Sequence, residues 1–194
     1  MTPVLILAAG ASSRMRGRDK LLEDVGGIPL LRRVCDRALA TDHPVFVALP
    51  AADHPRCAAV PDKVQQIIVP QASDGMGVTM REAVAQLPDC AAFMLLLADL
   101  PEIKTVDMMA IWQARQDHPA HVIWRGATTQ GAPGHPIVFD ANLRPQFADL
   151  SGDTGGEQLV NPLRDKTHLS RFDTDRARLD LDTPEDWAAW RARR

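Results

Sequence analysis

Arg14, Arg16, Arg18 and Lys20 put four cations into seven positions, with only Asp19 opposing them. Just before them run Ala8, Ala9, Gly10, Ala11, Ser12 and Ser13, which carry almost no side-chain bulk. Small residues let a ligand approach the main chain, where exposed N–H groups receive phosphate oxygens. The cations that follow supply the charge a polyphosphate needs. The loop leaves a short apolar strand, Val4 to Ala8, so it opens at a strand's carboxyl end. Its spacing is neither GxGxxG nor GxxxxGK[ST], since Gly10 is the only glycine before Gly17. A strand running into a basic, glycine-bearing loop is also common where nothing binds.

Carboxylates sit at two further places. Asp99 follows the apolar run FMLLL, and a carboxylate at the mouth of a buried strand must be hydrated, paired or bound to a cation. Magnesium takes one or two carboxylates and completes its shell with phosphate oxygens and water. A turn-capping role for Asp99 is the alternative. Late in the chain, Asp180 and Asp182 are two apart on an extended segment and therefore face one side. Three glycine-bearing stretches complete the set. DGMG, from Asp74 to Gly77, opens a helix whose free N–H groups could face a nucleotide or an acidic substrate. GAPGHP, from Gly131 to Pro136, reads as a rigid loop around His135, and SGDTGG, from Ser151 to Gly156, as a flexible acidic turn.

Taken in order, LAAGASSRM followed by Lys20-Leu21-Leu22 resembles the signature of the MobA-like nucleotidyltransferases, and most closely that of the molybdenum cofactor cytidylyltransferases. LLLADLPEI is similar to the family's strand motif with a magnesium-binding aspartate. DLDTPED is similar to its late motif, which reads Asn-x-Asn in the guanylyl branch. GAPGHP resembles the acceptor segment of the cytidylyl branch, and Ala8-Ala9-Gly10 fits that branch better than the Ala-Gly-Gly of the guanylyl one. Two departures stand out. Arg16 occupies the place of a usual glycine, and Val69-Pro70-Gln71 stands where the family often has Asn-Pro-Asp.

The resemblance implies transfer of CMP from CTP to the phosphate of molybdopterin bearing molybdenum, with release of pyrophosphate. It implies Mg²⁺, with Mn²⁺ as an alternative ion. Arg14, Lys20 and Asp99 are expected to be catalytic. Leu7, Ala8, Ala9, Gly10, Ser12, Ser13, Arg14, Lys20 and Gly75 are expected at the nucleotide. Gly134, His135, Pro136 and Asp153 are expected at the acceptor, and Asp99 with Asp182 at the metal, Asp180 less firmly. The alternatives are another nucleotide such as GTP, a sugar-phosphate-like acceptor, or a non-catalytic protein that delivers cofactor to a molybdoenzyme. A molybdoenzyme or its chaperone is the expected protein partner.

The chain of 194 residues is 45% hydrophobic and 24% charged, an ordinary globular balance for one core and one domain over residues 1–194. A net charge of −3 gives no bulk attraction to nucleic acid or an anionic membrane. Cys35, Cys57 and Cys90 are far apart and form no zinc pattern. Reduced thiols and the lack of a leader or membrane-length run make a cytoplasmic location the expectation.

The elements must then position these groups. Strands are expected at Val4–Ala8, Val45–Leu49, Gln65–Val69, Phe93–Leu97, His121–Trp124, Pro136–Phe139 and His168–Phe172. Helices are expected at Pro29–Asp42, Met76–Leu87, from a Thr105 cap to Arg115, at Ala141–Leu150, and at Thr183–Arg193, with a shorter one within Ala51–Asp62. Alternation of this kind gives a three-layer α/β/α fold around a mostly parallel, Rossmann-like sheet. Ligands of such sheets bind at the carboxyl ends of the strands.

Overall fold

A computed structural model describes residues 2–153 and 155–193. Seven strands form one sheet: β1 Val4–Leu7, β2 Val45–Leu49, β3 Gln65–Ile68, β4 Ala92–Leu97, β5 Ile123–Ala127, β6 Pro133–Asp140 and β7 Thr167–Arg171. Their order is β3-β2-β1-β4-β6-β5-β7. β6 alone runs antiparallel, to both β4 and β5. The amino end of β6 therefore lies at the same edge as the carboxyl ends of the others, and it brings residues 133–136 there.

Alternation along β1 explains the layers. Val4, Ile6 and Ala8 point into one core with α1 (Leu30–Leu39), α3 (Thr105–Asp117) and α5 (Pro184–Arg191). Leu5, Leu7 and Ala9 point into the other, with α2 (Met76–Ala85), the 3₁₀ segment Ala141–Asp149 and α4 (Glu157–Val160). A central strand buried on both faces reads as a continuous apolar run, as VLIL and AFMLLL do.

Three expectations are corrected. Residues 141–149 form a 3₁₀ helix, because Pro145 lacks the N–H that an α-helix would need there. Thr105 is not the cap of α3. That position is Lys104, whose N–H donates to Asp107 Oδ2 at 2.8 Å, while the Thr105 hydroxyl donates to the Arg37 carbonyl. Most of GAPGHP is strand rather than loop. Pro136 is tolerated there because β4 pairs with β6 only as far as Ile137, and β5 is irregular between Arg125 and Ala127. The last helix forms as expected. Thr183 Oγ1 accepts from the Asp186 N–H at 3.1 Å, the Thr183 N–H donates to Asp186 at 2.8 Å, and Pro184 leads the first turn.

Candidate active site at the carboxyl edge of the sheet

The chain after β1 turns back on itself through Ser12 and Arg16, which have φ of +52° and +55°. A left-handed backbone favours glycine and costs other residues roughly 1–2 kcal/mol. This accounts for the glycine that the related motif carries where Arg16 stands. The guanidinium of Arg16 points outward, to an exposed pair with Glu185 at 2.7 Å.

The loop holds its shape through Arg56, a residue the sequence did not single out. Arg56 is 1% exposed. It donates to Asp19 at 2.7 and 2.9 Å, to the Ala8 carbonyl at 2.5 Å and to Ser12 Oγ at 3.0 Å. Burial raises the pKa of Asp19, but the hydrogen bond and charge of Arg56 outweigh it and hold the carboxyl below its ordinary value. Asp19 in turn accepts from the Leu21 N–H, and Ser12 Oγ accepts from the Lys20 N–H. Ser12 thus spends its hydroxyl inside the loop. Removing one partner of a buried pair costs about 3 kcal/mol or more. Arg56→Met is therefore expected to destabilise the fold by about that amount, read as a shift in chemical denaturation, and to leave the loop misshapen. Unchanged stability would show that Arg56 is not the clamp.

Lys20 is aimed at the centre of the edge. Its Nζ lies 2.5 Å from Asp99 Oδ2 and 2.6 Å from Asp182 Oδ1, and Arg14 holds Asp182 Oδ2 at 2.7 Å. Asp99 leaves the end of β4, and its carbonyl accepts from the Leu181 N–H at 3.3 Å, which sets Asp182 beside it. Burial lowers the pKa of Lys20, but the charge of Asp99 and the bond to Asp182 more than restore it, so Lys20 stays a cation. Burial likewise raises Asp182, and Lys20 pulls it below its ordinary value. Asp180 is raised, first by burial and then by Asp182 and Asp99. Asp99 Oδ1 is buried with no hydrogen-bond partner.

Two cavities lie at this edge and share Leu97 as a wall. The β1 cavity, about 510 Å³, is lined by Leu7 to Ala11, Lys20, Asp99, Gly75 and Asp153. Ser13 is exposed, and Ser12, Ser13 and Arg14 are not among the residues lining this cavity. A Cβ built on Gly10 would meet nothing within 4 Å, so the space beside its main chain is open. The β6 cavity, about 690 Å³, is lined by Gly134, His135, Arg125, Glu157, Arg178 and Asp180, among others. Pro136 lies in β6 beside them, buried.

Asp153 and Gly75 both lie beside the loop after β1. Asp153 lines the β1 cavity rather than the β6 one. Gly75 lines the β1 cavity, but the Gly75 N–H donates to the Ala72 carbonyl and the Gly77 N–H to the Gly152 carbonyl. These glycines serve close packing instead, since a Cβ on Gly75 would stand 2.3 Å from Gly152. Thr154, within the expected acidic turn, lies outside the described residues.

Residues 4–168 match the family described as the MobA-like NTP transferase domain. The chain belongs to this family. Among curated relatives, a protein of Trichormus variabilis named "Probable molybdenum cofactor guanylyltransferase" is 33% identical over 120 residues, covering 58% of this chain and 52% of that one. A "Bifunctional protein GlmU" of Burkholderia mallei is 35% identical over 118 residues, covering 59% and 26%. The matches thus span about half, or less, of those relatives' lengths. The solved structure of the Rv0371c homologue from Mycobacterium sp. strain JC1 superposes with a TM-score of 0.86 at 25% identity, covering 99% of this chain and 96% of that one. By its sequence this MobA-like domain is therefore of nucleotidyltransferase type. Among the described residues, no helix is long and apolar enough to cross a membrane.

Proposed function

We propose that this MobA-like domain transfers CMP from CTP to the phosphate of a molybdopterin acceptor. The observation that carries this reading is Lys20 Nζ bonded to both Asp99 and Asp182, with Lys20 and Asp99 lining the β1 cavity and Asp180, two residues before Asp182, lining the β6 cavity. In this reading the β1 cavity takes the nucleotide, with its phosphates along the Ala8–Ala11 main chain. The β6 cavity takes the acceptor.

The carboxylate pair suits Mg²⁺ or Mn²⁺. Asp99 Oδ1 is orphaned, and two carboxylates are enough for a hard cation that draws its other ligands from phosphate and water. Such an ion polarises phosphate oxygens and neutralises their developing charge. In the resting protein Lys20 and Arg14 neutralise these carboxylates. When nucleotide enters, Lys20 and Arg14 exchange the carboxylates for phosphate oxygens and stabilise the departing pyrophosphate. Little covalent work is left to the chain, which aligns the acceptor oxygen with the α-phosphorus.

Ala9 supports CTP over GTP. Ala9 lines the cavity at the place where the guanylyl branch carries glycine. GTP is the second reading, favoured by the name of the 33%-identical relative. Metal-dependent pyrophosphate release, screened over four NTPs against molybdopterin and sugar-phosphate acceptors, decides between them. CTP with molybdopterin should give the highest rate. A preference for GTP, or for a sugar phosphate, would overturn the corresponding half of the reading.

His135 is expected to act on the acceptor as a neutral ring. Burial, with Arg125 nearby, lowers its pKa to about 4. Its Nδ1 lies 3.4 Å from the Leu95 carbonyl, which assigns the proton to Nδ1 and leaves Nε2 to accept from an N–H such as a pterin carries. His135→Ala should raise the KM for the acceptor roughly tenfold, the cost of one hydrogen bond, and leave the KM for CTP unchanged. Steady-state kinetics with each substrate varied in turn will show this, and an effect on CTP alone would move the residue to the nucleotide side.

A further inference from the structure

The β6 cavity carries more positive charge than the transfer reaction uses. Arg125 from β5 and Arg178 from the Asp175–Arg178 turn both line it. Arg125 commits only its Nε, to the Gly134 carbonyl at 3.0 Å. Among the described residues neither guanidinium forms an ion pair, although Glu157 and Arg178 are both close enough for Arg125 to feel their charge. The two most deeply buried ion-paired arginines differ in this. Arg56 has Asp19, and Arg176 has Asp107, with two bonds of 2.9 Å. The bonds to Asp107 also fix the turn that carries Arg178, so that arginine is presented to the cavity from an anchored segment.

Two guanidiniums on one wall repel each other and keep free N–H groups in the planar array that matches an oxyanion. The attacking phosphate of the acceptor belongs elsewhere, at Lys20, Asp99 and Asp182. Asp180 stands between Arg178 and Asp182 in the chain, and its oxygens would repel a phosphate held midway. The geometry points to a second anion subsite, in which Arg125 and Arg178 clamp an oxyanion of the acceptor other than its attacking phosphate. This rests on the acceptor reading above, and the oxyanion is either a metal-oxo group or a further acidic oxygen group.

The clamp can be tested without turnover. Sodium molybdate, a dianionic oxyanion, is titrated calorimetrically into the full chain, its Arg178→Gln variant and its Arg125→Gln variant. Among the described residues the Arg178 side chain makes no hydrogen bond, and its carbonyl accepts from the Asp180 N–H whatever the side chain is, so its variant keeps the fold even if Arg125→Gln disturbs β5. Affinity should fall at least tenfold in Arg178→Gln. Equal affinity in wild type and Arg178→Gln, or no binding at all, would overturn the clamp. In turnover, Arg178→Gln should raise the KM for the acceptor about tenfold and leave that for CTP unchanged. A loss confined to metal-loaded molybdopterin identifies the metal-oxo group, and a loss with both metal-free and metal-loaded forms identifies another oxygen group. If no pterin accepts CMP yet molybdate binding follows Arg178, the acceptor reading falls and the anion subsite stands.

Discussion

Asp99→Asn is expected to abolish nucleotidyl transfer and leave the protein folded. The amide keeps the shape of the side chain but removes the charge that a hard divalent cation needs. Oδ1 is buried without a partner and Oδ2 is bonded to Lys20, so the proposed mechanism has a use for both oxygens. Several kcal/mol of charge stabilisation in the transition state depend on such an ion, or roughly 10³-fold in rate. Raising Mg²⁺ should not restore activity. The pair with Lys20 is partly solvated, and its loss should cost stability about 1 kcal/mol or less. Asp182→Asn should do less harm than Asp99→Asn, because asparagine occurs at that place in the guanylyl branch. A fully active Asp99→Asn would reduce the aspartate to a turn residue.

Lys20→Ala is expected to cost roughly 10²- to 10³-fold in kcat, the worth of one preorganised charge on the leaving group. Its second consequence runs the other way. Lys20 now occupies the space between Asp99 and Asp182, so removing it frees both carboxylates. Mn²⁺ should then bind the nucleotide-free protein more tightly than it binds wild type, as measured by electron paramagnetic resonance. Weaker catalysis with tighter metal binding is a combination that a misfolded variant would not give.

Much of this centre was legible in the sequence for local reasons. The polyphosphate loop is continuous in the chain, with small residues first and cations after. Asp99 announces itself because a charge interrupts a buried apolar run, and α5 because its cap, proline and acidic third residue are adjacent. The remainder depended on distance or on register. Arg56 lies 48 positions from the Ala8 carbonyl it holds, and no local pattern marks it. Asp153 looks like part of an acceptor loop until Gly75 and Gly77 bring its turn against α2. The prolines of GAPGHP argue for a loop, and only the irregular pairing of β5 with β6 lets them enter a strand. Arg125 and Arg178 are ordinary surface-type residues in sequence, and only the position of β6 between β4 and β5 gives them a shared wall.

The most direct measurement is the initial rate of pyrophosphate release by wild type and Lys20→Ala, at saturating CTP, Mg²⁺ and molybdopterin acceptor, with thermal unfolding of both recorded alongside. Lys20 at the reaction centre predicts a rate at least 10²-fold lower, on the order of one lost transition-state charge, in a variant that still unfolds in one cooperative transition. Normal turnover by Lys20→Ala would contradict it, and the loop after β1 would not be the triphosphate site.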